Sequence, residues 1–198
     1  MGVATVAKRQ KLEKIYTLEE YLEREAKALN KHEFHKGKII KMAGGTDRHS
    51  EITGNMIYAL KLSVKPLPRK FRVYDSNLKI YIETVDRCFY PDALVICEEP
   101  EYLARRRDVI VNPLMIVEVL SRGTVDFDRK EKFMYYQTLP SFREYVLVEQ
   151  NQPQVESWFR PSPNNWVKTL ETDLTKTIHL PSLNVSLALA DIYDNVLF

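Results

Sequence analysis

Cysteine is scarce in this chain: only Cys88 and Cys97 occur among its 198 residues. Both lie in or beside one short strand-like stretch, where two side chains cannot readily approach in disulfide geometry. A disulfide-stapled scaffold is therefore not the reading, and two reduced, buried thiols suit a cytoplasmic protein. No cysteine pair accompanies His32 and His35, which argues against a zinc site. No apolar run approaches the roughly 20 residues that a membrane-spanning helix needs, so no membrane partner is expected. Residues 1–15 mix Ala and Val with Lys8, Arg9, Lys11 and Lys14. They lack the apolar centre of a signal peptide and are expected to form a flexible tail. Charge of one sign is also missing. The net value of +2 does not announce a nucleic-acid binder, although it conceals how the charge is distributed. There is no repeat, low-complexity segment, linker, recognition helix, zinc finger or stacking platform. What is present suits one domain over residues 16–198, with 44% hydrophobic residues for a core and 28% charged residues for a surface.

Thr17-Leu18-Glu19-Glu20 reads as a capping box that starts a helix continuing to about Leu29. The alternating runs on either side of Lys36-Gly37 predict a β-hairpin with a glycine turn. Gly44-Gly45 marks a loop. Ile52, Met56 and Leu60 then recur at helical steps until Pro66 and Pro68. Arg72–Tyr74 and Leu78–Ile82 look like a strand pair joined through Asp75-Ser76-Asn77. Two apolar runs of buried-strand character follow, Tyr90–Cys97 and Leu114–Leu120, separated by a charged connection. A helix is expected from about Val125 to Thr138, then a buried strand at Glu144–Val148, a hairpin over Gln154–Leu170, a strand at Leu183–Leu187 and a short helix at Leu189–Tyr193. This order predicts an α/β (α+β) domain with a mixed sheet core flanked by helices.

The two apolar runs each carry one carboxylate, Asp92 and Glu118. A carboxylate in such a run is costly unless something compensates it. Alternation places Glu118 on the face of Leu114, Ile116 and Leu120, and Asp92 on that of Leu94 and Ile96. If the strands pair antiparallel, the two acids become neighbours at one end of the sheet. Like charges that close favour a cation between them, and Mg²⁺ accepts one or two carboxylates while keeping waters and room for phosphate oxygens. The residues alone leave a second reading open, with Asp92 in a turn after Pro91 and Glu118 paired to an arginine. Downstream, Asp128, Lys132 and Tyr136 stand at i, i+4 and i+8 on one helical stripe. Such a stripe either brings Lys132 towards the carboxylates or is an ordinary surface pair beside a core tyrosine.

Pro91-Asp92, Glu118-Val119-Leu120-Ser121, Asp128-Arg129 with Lys132 and Tyr136, and Pro140 followed by Arg143-Glu144-Tyr145 together resemble the Uma family. These are restriction-endonuclease-like proteins of the PD-(D/E)XK nuclease superfamily, and the likeness runs from about Tyr16 to about Phe159. It takes in Glu33 before Gly37 and His49 at the start of the second helix. The resemblance implies a restriction-endonuclease-like fold and a Mg²⁺- or Mn²⁺-dependent endonuclease acting on DNA, expected as a homodimer. It further implies Asp92 and Glu118 as catalytic metal ligands, Glu33 as a third acid, and His49, Ser121, Asp128 and Tyr136 as site neighbours. The superfamily's lysine usually stands two residues after the second acid, where this chain has Leu120; Lys132 is the replacement expected, with Lys130 a competitor that faces another way. Without a working lysine, the chain would be a catalytically silent nuclease-fold protein binding nucleic acid or a protein partner. Arg105, Arg106 and Arg107 are candidate phosphate contacts, or simply a solvated loop.

Overall fold

The computed structural model of the protein describes residues 14–104 and 106–198. Of the expected tail, residues 1–13 lie outside the described residues, as does Arg105. The elements are helix α1 (Leu18–Glu25), strands β1 (His32–His35) and β2 (Lys38–Lys41), helix α2 (Asp47–Val64), and strands β3 (Phe71–Asp75), β4 (Lys79–Ile82), β5 (Arg87–Phe89), β6 (Ala93–Cys97), β7 (Val109–Ile110) and β8 (Met115–Leu120). A helix in three abutting segments follows, Val125–Phe127, Asp128–Lys132 and Phe133–Gln137, which together form α3. Strands β9 (Glu144–Glu149), β10 (Val155–Ser162), β11 (Asn165–Glu171), β12 (Thr177–Leu180) and β13 (Val185–Ala188) and helix α4 (Leu189–Ile192) complete the chain.

A six-stranded mixed sheet in the order β11-β10-β9-β8-β6-β3 forms the centre. Its one parallel pair, β8 with β9, is the pair that needs a crossover, and α3 supplies it. The other face-forming layer is a five-stranded sheet, β2-β1-β5-β4-β7. Alternation along the central strands sorts their side chains between two cores. Val95, Val117, Val146 and Val148 pack with Ile52, Met56 and Leu60 of α2 and with Ile178 and Leu187 of the β12–β13 hairpin. Leu94, Ile116, Leu120 and Leu147 pack with Ile80, Ile82 and Phe89 of the second sheet and with Phe133 and Tyr136 of α3. The fold is thus mixed α/β with a mixed sheet flanked by helices, as the element order predicts.

Three local expectations change. Helix α1 keeps its capping box, with Glu20 N–H on Thr17 Oγ1 at 3.1 Å and Thr17 N–H on Glu20 Oε2 at 2.9 Å. It ends at Glu25 rather than near Leu29, because the Glu25 carboxylate accepts from the His32 amide at 2.8 Å and from the Tyr90 hydroxyl at 3.0 Å. β3 and β4 are not partners. Asp75 Oδ1 accepts from Asn77 N–H at 2.9 Å, an Asx turn that passes the chain between sheets, so β3 pairs with β6 and β4 with β5 and β7. The run expected as Tyr90–Cys97 begins as a strand only at Ala93, since Pro91 cannot donate to a ladder. The β1–β2 turn does place Lys36 and Gly37 at φ 48° and 85°, the left-handed pair of a two-residue hairpin loop. A Cβ on Gly37 would lie 2.5 Å from Ile15 Cγ2.

The second sheet carries a buried cation. Lys79 Nζ lies 2.8 Å from Asp108 Oδ2 and 4.9 Å from the Tyr90 ring centre, and Arg106 also binds Asp108, at 2.9 and 2.8 Å. The hydrogen bond from Arg106 and the Lys79 charge outweigh burial and hold the Asp108 carboxyl well below the usual range. A depressed carboxyl stabilises the fold above the unfolded-state value of about 4, and that contribution is lost as pH falls through the folded value. Asp108→Asn is expected to cost about 1–2 kcal/mol at neutral pH, below the ~3–5 kcal/mol of breaking a fully buried pair. The discount follows because Asp108 is 39% exposed and solvent screens it. Urea midpoints at pH 7 and in acid check this: the variant's deficit should shrink in acid, and no deficit at neutral pH would show that Lys79 is compensated elsewhere.

Candidate active site

The β6–β8 register opposes Ala93 to Val117 and Leu94 to Ile116, which leaves Asp92, one residue before Ala93, at the end of the ladder where β8 continues to Glu118. Asp92 stands just before β6, where the chain leaves Pro91, and its Oδ2 accepts the Val119 amide at 2.7 Å. His49, in the first turn of α2, places Nε2 3.2 Å from the same oxygen. Thr46 sets that turn, accepting the His49 amide on Oγ1 at 3.2 Å and donating to Gln150 Oε1 at 2.9 Å. The hydrogen bond to Asp92 raises the His49 imidazole above its ordinary value, against the opposing effect of burial.

Behind Asp92 the site becomes dry. Lys132 Nζ lies 2.8 Å from Glu118 Oε1, 3.4 Å from Asp128 Oδ1 and 3.7 Å from Glu33 Oε1. The Tyr136 hydroxyl donates to Glu118 Oε1 at 3.1 Å. The Glu118 and Lys132 side chains are only 5% and 7% exposed. Burial lowers a lysine, but the carboxylates of Glu118, Glu33 and Asp128 overcome it and lift Lys132 well above its ordinary value. Burial, with Asp128 and Asp92 adding to it, lifts Glu118 as well, despite the Lys132 charge. An isolated ion pair would lower its acid, so the two directions conflict unless the cluster holds surplus negative charge. It does: one ammonium faces Glu33, Asp128 and Glu118, with Asp92 close by. The surrounding acids thus favour the charged form of Lys132, while burial and the neighbouring carboxylates favour the protonated form of Glu118. Glu33 goes the other way. Burial raises it, but Lys132 and the hydrogen bond from His35 outweigh that and hold it below the ordinary carboxylate value.

The middle segment of α3, Asp128–Lys132, is a π turn. Wide turns of this kind inside α-helices re-aim side chains and occur often at functional sites. The Tyr145 hydroxyl donates to the Asp128 carbonyl at 3.1 Å, satisfying a backbone group there. Lys130 points away, 72% exposed and 3.0 Å from Asp126, whereas Lys132 turns inward. Leu120, in the superfamily's usual lysine position, is packed into the apolar core.

Of the expected site residues, the structure gathers Asp92, Glu118, Glu33, His49, Asp128, Lys132 and Tyr136 in one place. Ser121 does not join them. Its Oγ meets Thr124 Oγ1 at 3.0 Å and closes the turn into α3. Arg106 is engaged by Asp108, and the Arg107 guanidinium lies 5.2 Å from the Tyr102 ring centre. Arg87, the cross-strand partner of His35, escaped the sequence reading, and His35 entered it only as a zinc candidate that was set aside. The two-residue spacing of Glu33 and His35 put them on one strand face, but no local signal pointed to Arg87. Among the described residues, no group of three or more His, Cys, Asp or Glu side chains is arranged to hold a metal ion, nor is any helix long and apolar enough to cross a membrane.

The central mixed sheet with helices on its flanks, together with the family match, places the protein in the PD-(D/E)XK-like nuclease superfamily. Within it, the chain belongs to the Uma2 family, described as "Putative restriction endonuclease", whose model matches residues 18–190. An uncharacterized protein of Synechocystis sp. (strain ATCC 27184 / PCC 6803 / Kazusa), sll1609, is 36% identical over 156 residues, covering 79% of this chain and 87% of its own. A second from the same strain, slr1290, is 29% identical over 182 residues, covering 91% and 92%. The fold is also that of a crystal structure described as "a putative nuclease belonging to DUF820" from Anabaena variabilis ATCC 29413. That match has a TM-score of 0.71 at 18% identity and covers 91% of this chain and 99% of the other.

Proposed function

We propose that the protein is a divalent-cation-dependent endonuclease that hydrolyses DNA phosphodiesters, with Asp92 and Glu118 as the principal ligands of Mg²⁺ or Mn²⁺ and Glu33 as a third acid. What supports this reading is the buried cluster in which Lys132 lies 2.8 Å from Glu118 and 3.7 Å from Glu33, with Asp92 just before β6, at the end of the ladder that β6 makes with the Glu118 strand. The donor set fits a hard cation, because every candidate ligand atom is a carboxylate oxygen and two such groups suffice for an ion that keeps its waters. When bound, the cation would polarise phosphoryl oxygens and acidify a water. Asp92 is held in place by the Val119 amide and His49. Burial and the neighbouring acids favour the protonated form of Glu118, so cation binding is expected to strengthen as pH rises. The acids around Lys132 favour its charged form. Its part is to stabilise negative charge developing on the phosphoryl group.

A second reading rests on the same ammonium. Lys132 offsets part of the acids' charge without a cation, which leaves room for a catalytically silent nuclease-fold protein binding nucleic acid or a protein partner. Supercoiled plasmid incubated with the protein separates the two. Nicking with Mg²⁺ or Mn²⁺ that a chelator abolishes is the expected result. Salt-dependent plasmid binding, indifferent to chelator and without cleavage under either cation, would replace the nuclease reading with the second.

A further inference from the structure

We propose that Arg87 and His35 form a positioning relay that fixes the orientation of Glu33 and presents it to the acidic cluster; the proposal rests on reading Glu33 as an acid of that site. His35 and Arg87 are direct cross-strand partners in the β1–β5 ladder. Arg87 Nη1 lies 2.8 Å from His35 Nδ1. A guanidinium has only donors, so Nδ1 must be the acceptor, and the ring proton is left on Nε2. That nitrogen lies 3.1 Å from Glu33 Oε2 and donates to it. The hydrogen-bond network thus assigns one tautomer, and each link has one direction: Arg87 to His35 to Glu33.

The relay is held on both sides. The His35 ring stacks on Phe127 at 5.7 Å and 22° and meets Phe89 edge-on at 5.2 Å and 78°. The Arg87 guanidinium lies 4.2 Å from the centre of the Tyr135 ring. With Oε2 occupied by His35, Glu33 turns its other oxygen, Oε1, towards Lys132 at 3.7 Å. A histidine N–H that orients a working carboxylate, itself fixed from behind, is the arrangement by which outer groups hold inner ones in place. Neither residue approaches Asp92 or Glu118 through any contact described above, so both act through Glu33.

Nitrogen NMR of the full chain at about pH 8, where an ordinary histidine is neutral, reads the tautomer directly. His35 should be Nε2–H in the unmodified protein. Arg87→Met should let the Nδ1–H form appear, and Arg87→Lys should restore the original pattern. With plasmid and Mg²⁺, Arg87→Met should lower kcat roughly tenfold and leave KM for DNA unchanged. An unaltered tautomer in Arg87→Met overturns the relay, as does an altered tautomer with unchanged kcat, or a loss confined to KM. Absence of cleavage by the unmodified protein would instead overturn the nuclease reading, and the tautomer alone would then decide the relay.

Discussion

Lys132→Met is expected to lower the unfolding free energy by about 3–5 kcal/mol at neutral pH, the range for removing one partner of a buried ionic cluster. The ammonium lies within 2.8–3.7 Å of Glu118, Asp128 and Glu33, and methionine would fill the space without the charge. The deficit should be smaller in mild acid. Without Lys132 the native acids bind protons more readily than the unfolded chain does, so the variant's stability rises as pH falls through that range. Urea denaturation at pH 5 and pH 8 measures both effects. Equal deficits at the two pH values would mean that the loss is one of packing, and that the cluster is not held by this charge. Adding Glu118→Gln to Lys132→Met should recover part of the loss, a coupling that a double-mutant cycle reads.

The second large effect is functional. Glu118→Gln is expected to reduce cation-dependent plasmid cleavage by at least about 100-fold, more than displacing a supporting residue would, and to leave stability within about 1 kcal/mol of the original. The amide oxygen can still accept from Tyr136, and Lys132 keeps Asp128 and Glu33. Burial already favours the uncharged form of this side chain, so the folded protein loses little. Asp92→Asn should show the same loss of cleavage from the other strand. Both variants folded by circular dichroism and cutting at the original rate would sink the proposed metal site.

The antiparallel pairing of β6 with β8, the strands that follow Asp92 and carry Glu118, was legible in the sequence. Both runs are short, apolar and rich in Val, Ile and Leu, and the charged connection between them lets them pair antiparallel. The inward turn of Lys132 was legible for a similar reason, since positions four apart share a helix face. His49 on Asp92 was not, because the contact depends on where the N-terminus of α2 lands on the sheet, which no local pattern encodes. The division into two large sheets was hidden too. β3 and β4 flank a turn and alternate like hairpin strands, yet their partners β6, β5 and β7 are set by packing between layers. Arg87 is the plainest case, since the strand is three residues long and its pairing with His35 is tertiary throughout.

The wide turn of α3 has a bearing on how the chain could change in length. A π turn accommodates one residue more than an α turn over the same rise. The segment Asp128–Lys132 thus absorbs an extra residue locally, and Phe133 and Tyr136 beyond it keep their places against Tyr145 and Phe142. A one-residue deletion inside this segment could relax to regular helix without disturbing the aromatic packing, yet it would re-aim Asp128 relative to Lys132. Length, quite apart from composition, separates a fold that merely stands from one whose ammonium meets its acids.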